Sequence, residues 1–421
     1  MSLKFPRVYY GWWVVAACFL IAFYTGGAIF YTFTAVFEPI AREFNWSYTQ
    51  VSVAASLRGL ELGILAPIVG TMVDRWGPRR IMLVSLFICA LGLVLLSRTT
   101  SLAMYYGSFV LIAIGMSGGG STVTMTTITN WFRKKAGLAT GITICGYGAS
   151  GLMIPVVVWL IDTYSWRWAM VALALGMLVI CLPLSLLIRH KPEQYGLLPD
   201  GEEASTVLSK VSLHTDSNED SISARQALTS RTFWHISLGL MPYLIGVYAV
   251  STHVMPYLSS IGIARSVSGL AAMGIPLMSI AGRFSFGWLG DKVNNKRLAT
   301  WGLVMVGIGL AFFQLTSLVG TGLLLLFLLF FGVGYGGAVA MVAILVRRYF
   351  GRGNFGTIIG CLQGIMVFCG LAAPPFAGWV YDTWGSYGYV WLVFSGIALL
   401  GAVLLATIPP LQVSHGGGEA T

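Results

Sequence analysis

Long apolar runs recur along this 421-residue chain, and they constrain its fold more than any other feature. A run of about 20 apolar residues can cross the hydrocarbon core of a bilayer as one helix. Charged residues make up only 10% of the chain, whereas soluble domains carry about 25%. We therefore predict an all-α membrane protein. Its transmembrane helices are expected as twelve spans, numbered 1 to 12 in chain order: 11–37, 49–72, 80–98, 103–129, 136–161, 167–188, 232–258, 266–289, 298–317, 320–347, 356–381 and 386–409.

An internal repeat relates the first six spans to the last six. The pattern GTMVDRWGPRR, which contains Asp74, Arg75 and Arg79, lies at the end of span 2. The pattern GWLGDKVNNKR, which contains Asp291 and Lys292, lies at the end of span 8, 217 residues later. A repeat at half the chain length predicts two related helix bundles. Two further matches support it: GMSGGG in span 4 with GVGYGG in span 10, and Asp162-Thr163-Tyr164 with Asp382-Thr383-Trp384.

One long polar stretch, residues 189–231, divides the spans six and six. It is rich in Ser, Asp and Glu, and its last part, 221–231, is expected to form a short surface helix. We predict an N-terminal six-helix bundle over 1–188, a cytoplasmic central loop over 189–231, and a C-terminal six-helix bundle with a short cytoplasmic tail over 232–421. The other loops are short and leave no room for a catalytic domain, so an enzyme is not expected.

The formal net charge of +10 could indicate an acidic partner such as nucleic acid, but its distribution indicates membrane topology instead. If the N-terminus is cytoplasmic, the inner loops and tail hold 19 of the 25 Lys and Arg residues, and the outer loops hold four. An excess of positive charge in short loops marks the cytoplasmic side. We predict a multi-pass protein of the plasma or inner cell membrane, with both termini cytoplasmic and the lipid bilayer, not nucleic acid, as its surroundings.

No cofactor, metal or use of ATP is expected. The sequence contains no GxxxxGK[ST] phosphate-binding pattern and no metal-ligand spacing. The dinucleotide-like pattern GYGASG at 146–151 falls in an apolar span with no preceding strand, so we interpret it as close helix packing. The pattern GTIIGCLQG at 356–364 receives the same interpretation.

Three charged residues fall inside the spans, where each costs at least about 2.5–3.5 kcal/mol near the bilayer centre: Arg58, Glu61 and Arg283. Arg283 precedes Asp291 by roughly 12 Å of helix, which places it near the midplane. A guanidinium there can hold a carboxylate through two parallel hydrogen bonds, and packing of the two halves is its alternative role. Arg58 is expected close to the outer surface, paired with Glu61 on one helix face. Gating or proton acceptance is the alternative role for Glu61. One unpaired cation then favours a substrate with one carboxylate.

Uncharged residues complete the predicted substrate-binding set. Tyr335 in span 10 and Gln363 in span 11 could hydrogen-bond a substrate, although Tyr335 could equally pack helices. Ser279 in span 8 and Thr122 in span 4 are further candidates. His253, in the outer half of span 7, is a candidate proton carrier, but we favour a wetted histidine close to the loop.

With these motifs in place, the chain resembles the major facilitator superfamily over nearly its whole length, most specifically in the charged pattern that ends spans 2 and 8. Within it, the chain is similar to the branch that holds monocarboxylate transporters and oxalate–formate antiporters. The motifs that carry this similarity are YYGWWVV at 9–15, GRFSFGWLGDK at 282–292 and KPEQYGLLPDG at 191–201. The resemblance implies a central cavity between two bundles. It also implies a cytoplasmic latch formed by Asp74, Arg75, Arg79, Asp291 and Lys292.

The same resemblance implies that Phe30 and Tyr31 line the apolar side of the cavity. Two positions depart from animal monocarboxylate transporters: Ser279 stands where they carry an Asp, and residues 28–31 lack their helix 1 Lys. Both of those residues are tied to proton coupling in that family. Oxalate–formate antiporters carry a Lys in helix 11, whereas span 11 contains no Lys or Arg.

We therefore expect a secondary active transporter of small monocarboxylates, such as lactate or pyruvate. It would move a small organic anion together with a proton by alternating access. Anion exchange of the oxalate–formate or nitrate–nitrite kind is the alternative within transport. A transporter-like sensor that binds its ligand without moving it is the alternative from another class.

Overall fold

The protein is described from a computed structural model. The structure describes residues 9–59, 65–132, 134–195, 197–198, 200, 224–290, 292–351 and 355–408. All regular elements in these ranges are helical, as the apolar runs predict.

Spans 1 to 6 form helices that several short segments of other helical geometry interrupt. Gly26–Tyr31 and Met177–Cys181 are π-helical, and Ser150–Leu152 is a 3-10 turn. Span 1 is longer than predicted because its helix continues through the partly polar residues 38–44. The α-helices are Tyr10–Thr25, Thr32–Phe44, Tyr48–Arg58, Ala66–Trp76, Pro78–Ser97, Leu102–Gly119, Ser121–Trp131, Ala136–Ala149, Met153–Thr163, Trp166–Gly176 and Leu182–Leu186.

Spans 7 to 12 follow the short helix Ala224–Thr229, which lies within the predicted surface helix. Leu328–Gly332 in span 10 is π-helical. Span 12 begins later than predicted because Gly385 and Gly388 take positive φ angles of 65° and 44° between the last two spans. The α-helices are Arg231–Ser260, Arg265–Gly290, Asn295–Val319, Leu323–Phe327, Val333–Phe350, Phe355–Gly370, Ala373–Trp384 and Val390–Ala406.

The helices have the lengths that membrane crossing requires. Among the described residues, ten helices are long and apolar enough to cross a membrane, when pieces that run on through π-helical or 3-10 segments are counted together. The shorter apolar helix Val390–Ala406 corresponds to span 12. Tyr48–Arg58 and Ala66–Trp76 are the two described pieces of span 2. Each predicted span therefore coincides with helix, and the all-α prediction is confirmed.

The repeated glycine motif of spans 4 and 10 brings neighbouring helices into close contact. A Cβ on Gly115 in span 4 would lie 2.6 Å from the backbone nitrogen of Cys89 in span 3. A Cβ on Gly336 in span 10 would overlap the carbonyl group of Ser279 in span 8. Small residues allow helix backbones to approach this closely. The contact at Ser279 sets the spacing of spans 8 and 10 one turn from Arg283.

The two other glycine patterns have different outcomes. In the 146–151 pattern, Gly146 packs on the carbonyl of Phe19 in span 1, and Gly151 packs on span 8, so close packing is confirmed. In the 356–364 pattern, a Cβ on Gly360 or Gly364 would have no neighbouring heavy atom within 4 Å. The packing predicted for these two glycines is therefore wrong, because the surface of span 11 is open at this level.

Candidate functional site

Arg283 extends from span 8 toward the first six spans. Its Nη1 donates to the carbonyl oxygen of Ile144 in span 5 at 3.1 Å, and its guanidinium carbon lies 5.8 Å from the centre of the Tyr335 ring. Its Nε has no hydrogen-bond partner, although the side chain as a whole is only partly buried. A guanidinium has five N–H donors and no acceptor, so unused donors suit an incoming anion.

Aromatic side chains from spans 1, 7 and 10 form a wall beside Arg283. The hydroxyl groups of Tyr31 and Tyr335 lie within reach of each other, and Arg283 is close to both residues. Tyr335 stacks on Tyr243 with a centroid distance of 6.3 Å, and Phe30 meets Tyr31 edge-on at 5.0 Å. The structure thus brings together four of the predicted substrate-binding residues: Arg283, Tyr335, Phe30 and Tyr31.

Two π-helical segments set the orientation of this aromatic wall. Phe30 and Tyr31 are the last residues of the segment Gly26–Tyr31. Leu328–Gly332 ends three residues before Tyr335. A π segment adds a residue to an α-helix and re-aims the side chains that follow it, and such segments are frequent at functional sites.

Arg58 is buried against span 1, and the prediction that it lies close to the outer surface is wrong. Its Nη1 donates to the carbonyls of Ile29 and Phe30, both at 2.9 Å, and the side chain is 7% exposed. These carbonyls lie near the middle of the helical stretch Tyr10–Phe44, so the charge lies at mid-depth. The helix of span 2 begins at Tyr48, ten residues or roughly 15 Å before Arg58, so Arg58 lies well below the outer end of that helix. Its pairing with Glu61 remains a prediction, because Glu61 lies outside the described residues.

The remaining predicted substrate-binding residues do not join this wall in the described part of the structure. Ser279 is fully buried, and its hydroxyl donates to the carbonyl of Pro276 in the same helix at 2.7 Å. That hydroxyl proton is therefore already used in packing span 8. Gln363 is exposed on the open surface of span 11. The side chain of Thr122 lies outside the described part of the chain.

The structure describes only the basic side of the predicted latch. Arg75, Arg79 and Lys292 are exposed at the ends of spans 2 and 8 and the start of span 3. The latch remains a prediction, because its two acids, Asp291 and the side chain of Asp74, lie outside the description.

The repeated Asp-Thr motif at the ends of spans 5 and 11 joins the two sets of spans at the predicted outer face. Asp382 accepts hydrogen bonds from the backbone N–H groups of Tyr48 and Thr49, at 2.8 and 2.7 Å, where span 2 begins. An oxygen of Asp162 lies 2.8 Å from the Nε of Arg265, where span 8 begins. A carboxylate is favourable both at a helix N-terminus and beside a guanidinium. We call these two contacts the outer clamps.

In the sequence, this motif is recognisable only as a marker of the repeat. The available signal was an aspartate at the end of each of two corresponding spans, at the face where spans 2 and 8 begin. The aspartate binds backbone N–H groups in one clamp and an arginine in the other. Comparison of the two repeats therefore reveals no common partner that would identify the contact.

His253 is fully buried where spans 2, 7 and 11 meet, so the favoured interpretation of a wetted histidine is wrong. Its Nε2 lies 3.0 Å from the hydroxyl of Ser52 in span 2 and 2.9 Å from the carbonyl of Pro374 in span 11. Its Nδ1 lies 2.9 Å from the hydroxyl of Tyr387, in the loop before span 12. The ring also meets the ring of Phe37 in span 1 at 5.1 Å. The sequence places His253 close to a loop, but it does not reveal that spans 2 and 11 pack over this end of span 7.

Tyr387 supports this closed end from a loop outside the spans. Burial raises the pKa of its hydroxyl well above the ordinary value, and nearby Tyr48, Tyr381, Glu38 and Asp382 raise it further. The hydroxyl therefore keeps its proton, and it can either donate or accept one hydrogen bond toward the histidine ring.

Comparisons with known proteins agree with this architecture. The family model of the Major Facilitator Superfamily matches residues 16–294 and 254–420. Monocarboxylate transporter 13 of Rattus norvegicus is 26% identical over 420 residues, which cover 95% of this chain and 89% of that protein. Monocarboxylate transporter 12 of the same organism is 24% identical over 413 residues, which cover 94% and 85% respectively.

A solved structure shows the same fold. It is the crystal structure of a bacterial homolog to the human lysosomal transporter Spinster, in an inward-facing and unoccupied conformation. It matches with a TM-score of 0.71 and 17% identity, and the match covers 95% of this chain and 96% of that chain. The family match spans nearly all twelve helices, and the chain therefore belongs to the Major Facilitator Superfamily of membrane transporters.

Proposed function

We propose that this transporter moves small monocarboxylates, such as lactate or pyruvate, together with a proton. The observation that carries the proposal is Arg283, a partly accessible cation beside the Tyr31–Tyr335 pair, where spans 1, 5, 8 and 10 meet. The similarity to proteins named monocarboxylate transporters supports it.

The chemistry of the wall suits a short organic acid. A carboxylate takes the unused donors of Arg283, and the hydroxyl groups of Tyr31 and Tyr335 supply further hydrogen bonds. Phe30, which is partly exposed, offers aromatic surface to a short carbon chain. A sugar, with hydroxyl groups on every side, would leave several of them unpaired against this surface.

The two cations inside the spans have different roles in this proposal. Arg58 is nearly inaccessible, and its Nη1 is held by the carbonyls of Ile29 and Phe30. We assign it to holding the π-helical segment of span 1 in place. Among the residues that the structure describes, Arg283 is the cation left for the anion, and this favours a substrate with one carboxylate over a dianion.

The outer clamps suggest how access alternates. Both clamps are formed, so the spans are joined at the predicted outer face, while Gly360 and Gly364 of span 11 face open space nearer the other face. Transport would require the clamps to separate and the opposite ends to meet, which is the rocking of two halves around a central site.

The test is uptake of labelled lactate into proteoliposomes that contain the purified full-length protein. We expect Arg283→Ala to lower uptake at least about tenfold, because a hydrogen bond to a charged group contributes about 1.5–3 kcal/mol and 1.4 kcal/mol is a factor of ten. Arg283→Lys should retain part of the activity, because the ammonium keeps the charge but not the planar fork.

The matched control is Arg98→Gln, at an exposed arginine that ends span 3. It should transport like the wild type. Lactate uptake that is unchanged in a correctly folded Arg283→Ala protein would remove the proposed site.

The same vesicles separate the alternatives. Uptake that responds to an imposed pH gradient without any internal anion supports symport with a proton. Uptake that requires a preloaded counter-anion favours exchange of the oxalate–formate or nitrate–nitrite kind. Lactate binding without flux favours a transporter-like sensor.

A further inference from the structure

His253 connects the two sets of spans beside the outer clamps. The ring belongs to span 7, and Pro374 and Tyr387 contact it from span 11 and the following loop, whereas Ser52 contacts it from span 2. The ring is fully buried. Separation of the spans at this end must therefore break the contact with Ser52 and admit water to the ring.

The hydrogen bonds at Nε2 determine the tautomer of the ring. The carbonyl of Pro374 can only accept a hydrogen bond. The hydroxyl of Ser52 donates its single proton to the carbonyl of Tyr48 at 2.6 Å, so toward His253 it also accepts. Nε2 must therefore carry a proton in this arrangement.

Nδ1 is the atom at which the ring can gain a second proton. It faces the hydroxyl of Tyr387 at 2.9 Å. That hydroxyl donates to a neutral ring and accepts from a protonated ring. The added proton comes from external water and returns to it, so no further reactant is required.

The charged groups around the ring are already engaged by other partners. Asp382 is bound to the backbone of Tyr48 and Thr49 in the clamp. Glu38 of span 1 lies 3.8 Å from Arg42 and accepts from the hydroxyl of Tyr48. A second proton on the ring would place a charge without a direct acidic partner in a site closed to water, which is unfavourable. The titratable group that packs directly on the ring is Tyr387, and Tyr48, Tyr257 and Tyr381 lie around Tyr387 in turn.

From this geometry we propose that His253 is the proton-binding site of an outer gate. Protons from the external side bind Nδ1 when the outer ends separate, and the resulting charge holds those ends apart. When the proton leaves, the neutral ring can again bridge Ser52, Pro374 and Tyr387, and the gate closes. The consequence for transport rests on the proposed function: an acidic exterior increases the population that is open to external substrate.

The gate can be tested without a substrate, by hydrogen exchange of the full-length protein in lipid nanodiscs. Exchange is measured at two pH values, about one unit below and one unit above the ordinary histidine pKa of about 6.5. At each pH, the wild type is compared with His253→Gln. The readout is the backbone of Tyr48–Arg58. At the lower pH we expect the backbone amides of this helix to exchange several-fold faster in the wild type than in the variant. At the higher pH we expect equal exchange rates in the two proteins.

A second histidine on the same helix provides the matched control. His235 lies near the other end of span 7, with its Nδ1 2.8 Å from the carbonyl of Arg231. His235→Gln should keep the full pH response of the wild type. Equal exchange of the wild type and His253→Gln at both pH values overturns the proposal.

Tyr387→Phe tests the proposal independently of the His253 variant. It keeps the ring but removes the acceptor that a protonated Nδ1 needs in the closed arrangement. We therefore expect the increase in exchange at low pH to be larger than in the wild type. An increase that is equal or smaller overturns the proposal, even if His253→Gln does not fold.

Lactate uptake by the wild type separates this proposal from the proposed function. If hydrogen exchange of Tyr48–Arg58 responds to pH through His253 but the protein takes up no lactate, the gate is supported and the proposed substrate is contradicted. Lactate uptake without that response supports the substrate and contradicts the gate.

Discussion

At the scale of single residues, the surroundings of a buried charge decide its role. Arg58 and Arg283 are both inside predicted spans; Arg58 donates to two backbone carbonyls and Arg283 to one. Arg58 is enclosed by span 1, whereas Arg283 stays partly accessible beside Tyr335. Accessibility of the guanidinium, more than its depth, distinguishes a candidate anion site from a structural cation.

Removal of one hydroxyl from the aromatic wall should weaken substrate binding without abolishing transport. Tyr335→Phe keeps the ring that stacks on Tyr243 but loses the hydroxyl beside Tyr31. A hydrogen bond contributes about 0.5–1.5 kcal/mol net, so we expect the KM for lactate to rise about two- to tenfold. Tyr389→Phe, at an exposed tyrosine before span 12, is the control and should leave KM unchanged. An unaltered KM in Tyr335→Phe would exclude that hydroxyl from the site.

At the scale of helices, irregular and glycine-containing segments place the site. The π-helical segment Gly26–Tyr31 orients span 1. A Cβ on Gly282, the residue before Arg283, would overlap the carbonyl of Val333 in span 10. The distance between spans 8 and 10 at the site therefore depends on a residue that has no side chain of its own.

The outer clamps act between helices, and each should be separable by a single substitution. We expect Asp382→Asn to increase hydrogen exchange of Tyr48–Arg58, and Asp162→Asn to increase exchange at the start of span 8. A hydrogen bond to a charged group contributes about 1.5–3 kcal/mol, so removal of the charge should open each clamp detectably. Exchange rates of these two segments measure the effect.

The control for the clamps is another aspartate that binds backbone N–H groups. Asp200 accepts from Lys134 at 2.8 Å and from Lys135 at 3.1 Å, at the predicted cytoplasmic face. Asp200→Asn should leave exchange at the outer ends unchanged. If Asp382→Asn behaves like this control, the clamp does not hold the outer end closed.

At the scale of the whole molecule, the two sets of spans pack tightly at the end that carries the clamps. Near the clamps, a Cβ on Gly378 in span 11 would lie 2.8 Å from the backbone of Tyr48. Nearer the other face, Gly141 in span 5, Gly287 in span 8 and Gly360 in span 11 have no neighbouring atom within 4 Å of an added Cβ. The close packing beside the clamps is what a transporter closed at this end requires.

The predicted orientation assigns the clamps to the outside, and it can be tested directly. A fluorescent protein that folds in the cytoplasm, fused after residue 421, should fluoresce, whereas alkaline phosphatase at the same position should be inactive. The reason is the excess of Lys and Arg in the loops on that side. Phosphatase inserted in the loop at 320–322 should be active. The reverse pattern would place the clamps in the cytoplasm and contradict both termini being cytoplasmic.

Much of the helical architecture could be predicted because it depends on local properties of the chain. Apolar length predicted where each span lies, and the loop glycines at 385 and 388 explain the late start of span 12. The site was predicted only in part. Arg283 could be selected because a charge inside a span is conspicuous, whereas the use of the Ser279 hydroxyl by Pro276 depends on rotamers that no sequence pattern reports.

The sequence by itself determined the helical fold, the repeat and Arg283 as the cation of interest, since hydropathy and charge belong to each residue alone. Only the tertiary structure decided that Arg58 supports span 1, that His253 is enclosed, and that Asp382 caps span 2. The Asp382 contact joins residues 334 positions apart, and it exists only because the two sets of spans meet at this end. Such contacts depend on how helices pack against each other, and the residue pattern of a single helix does not determine that packing.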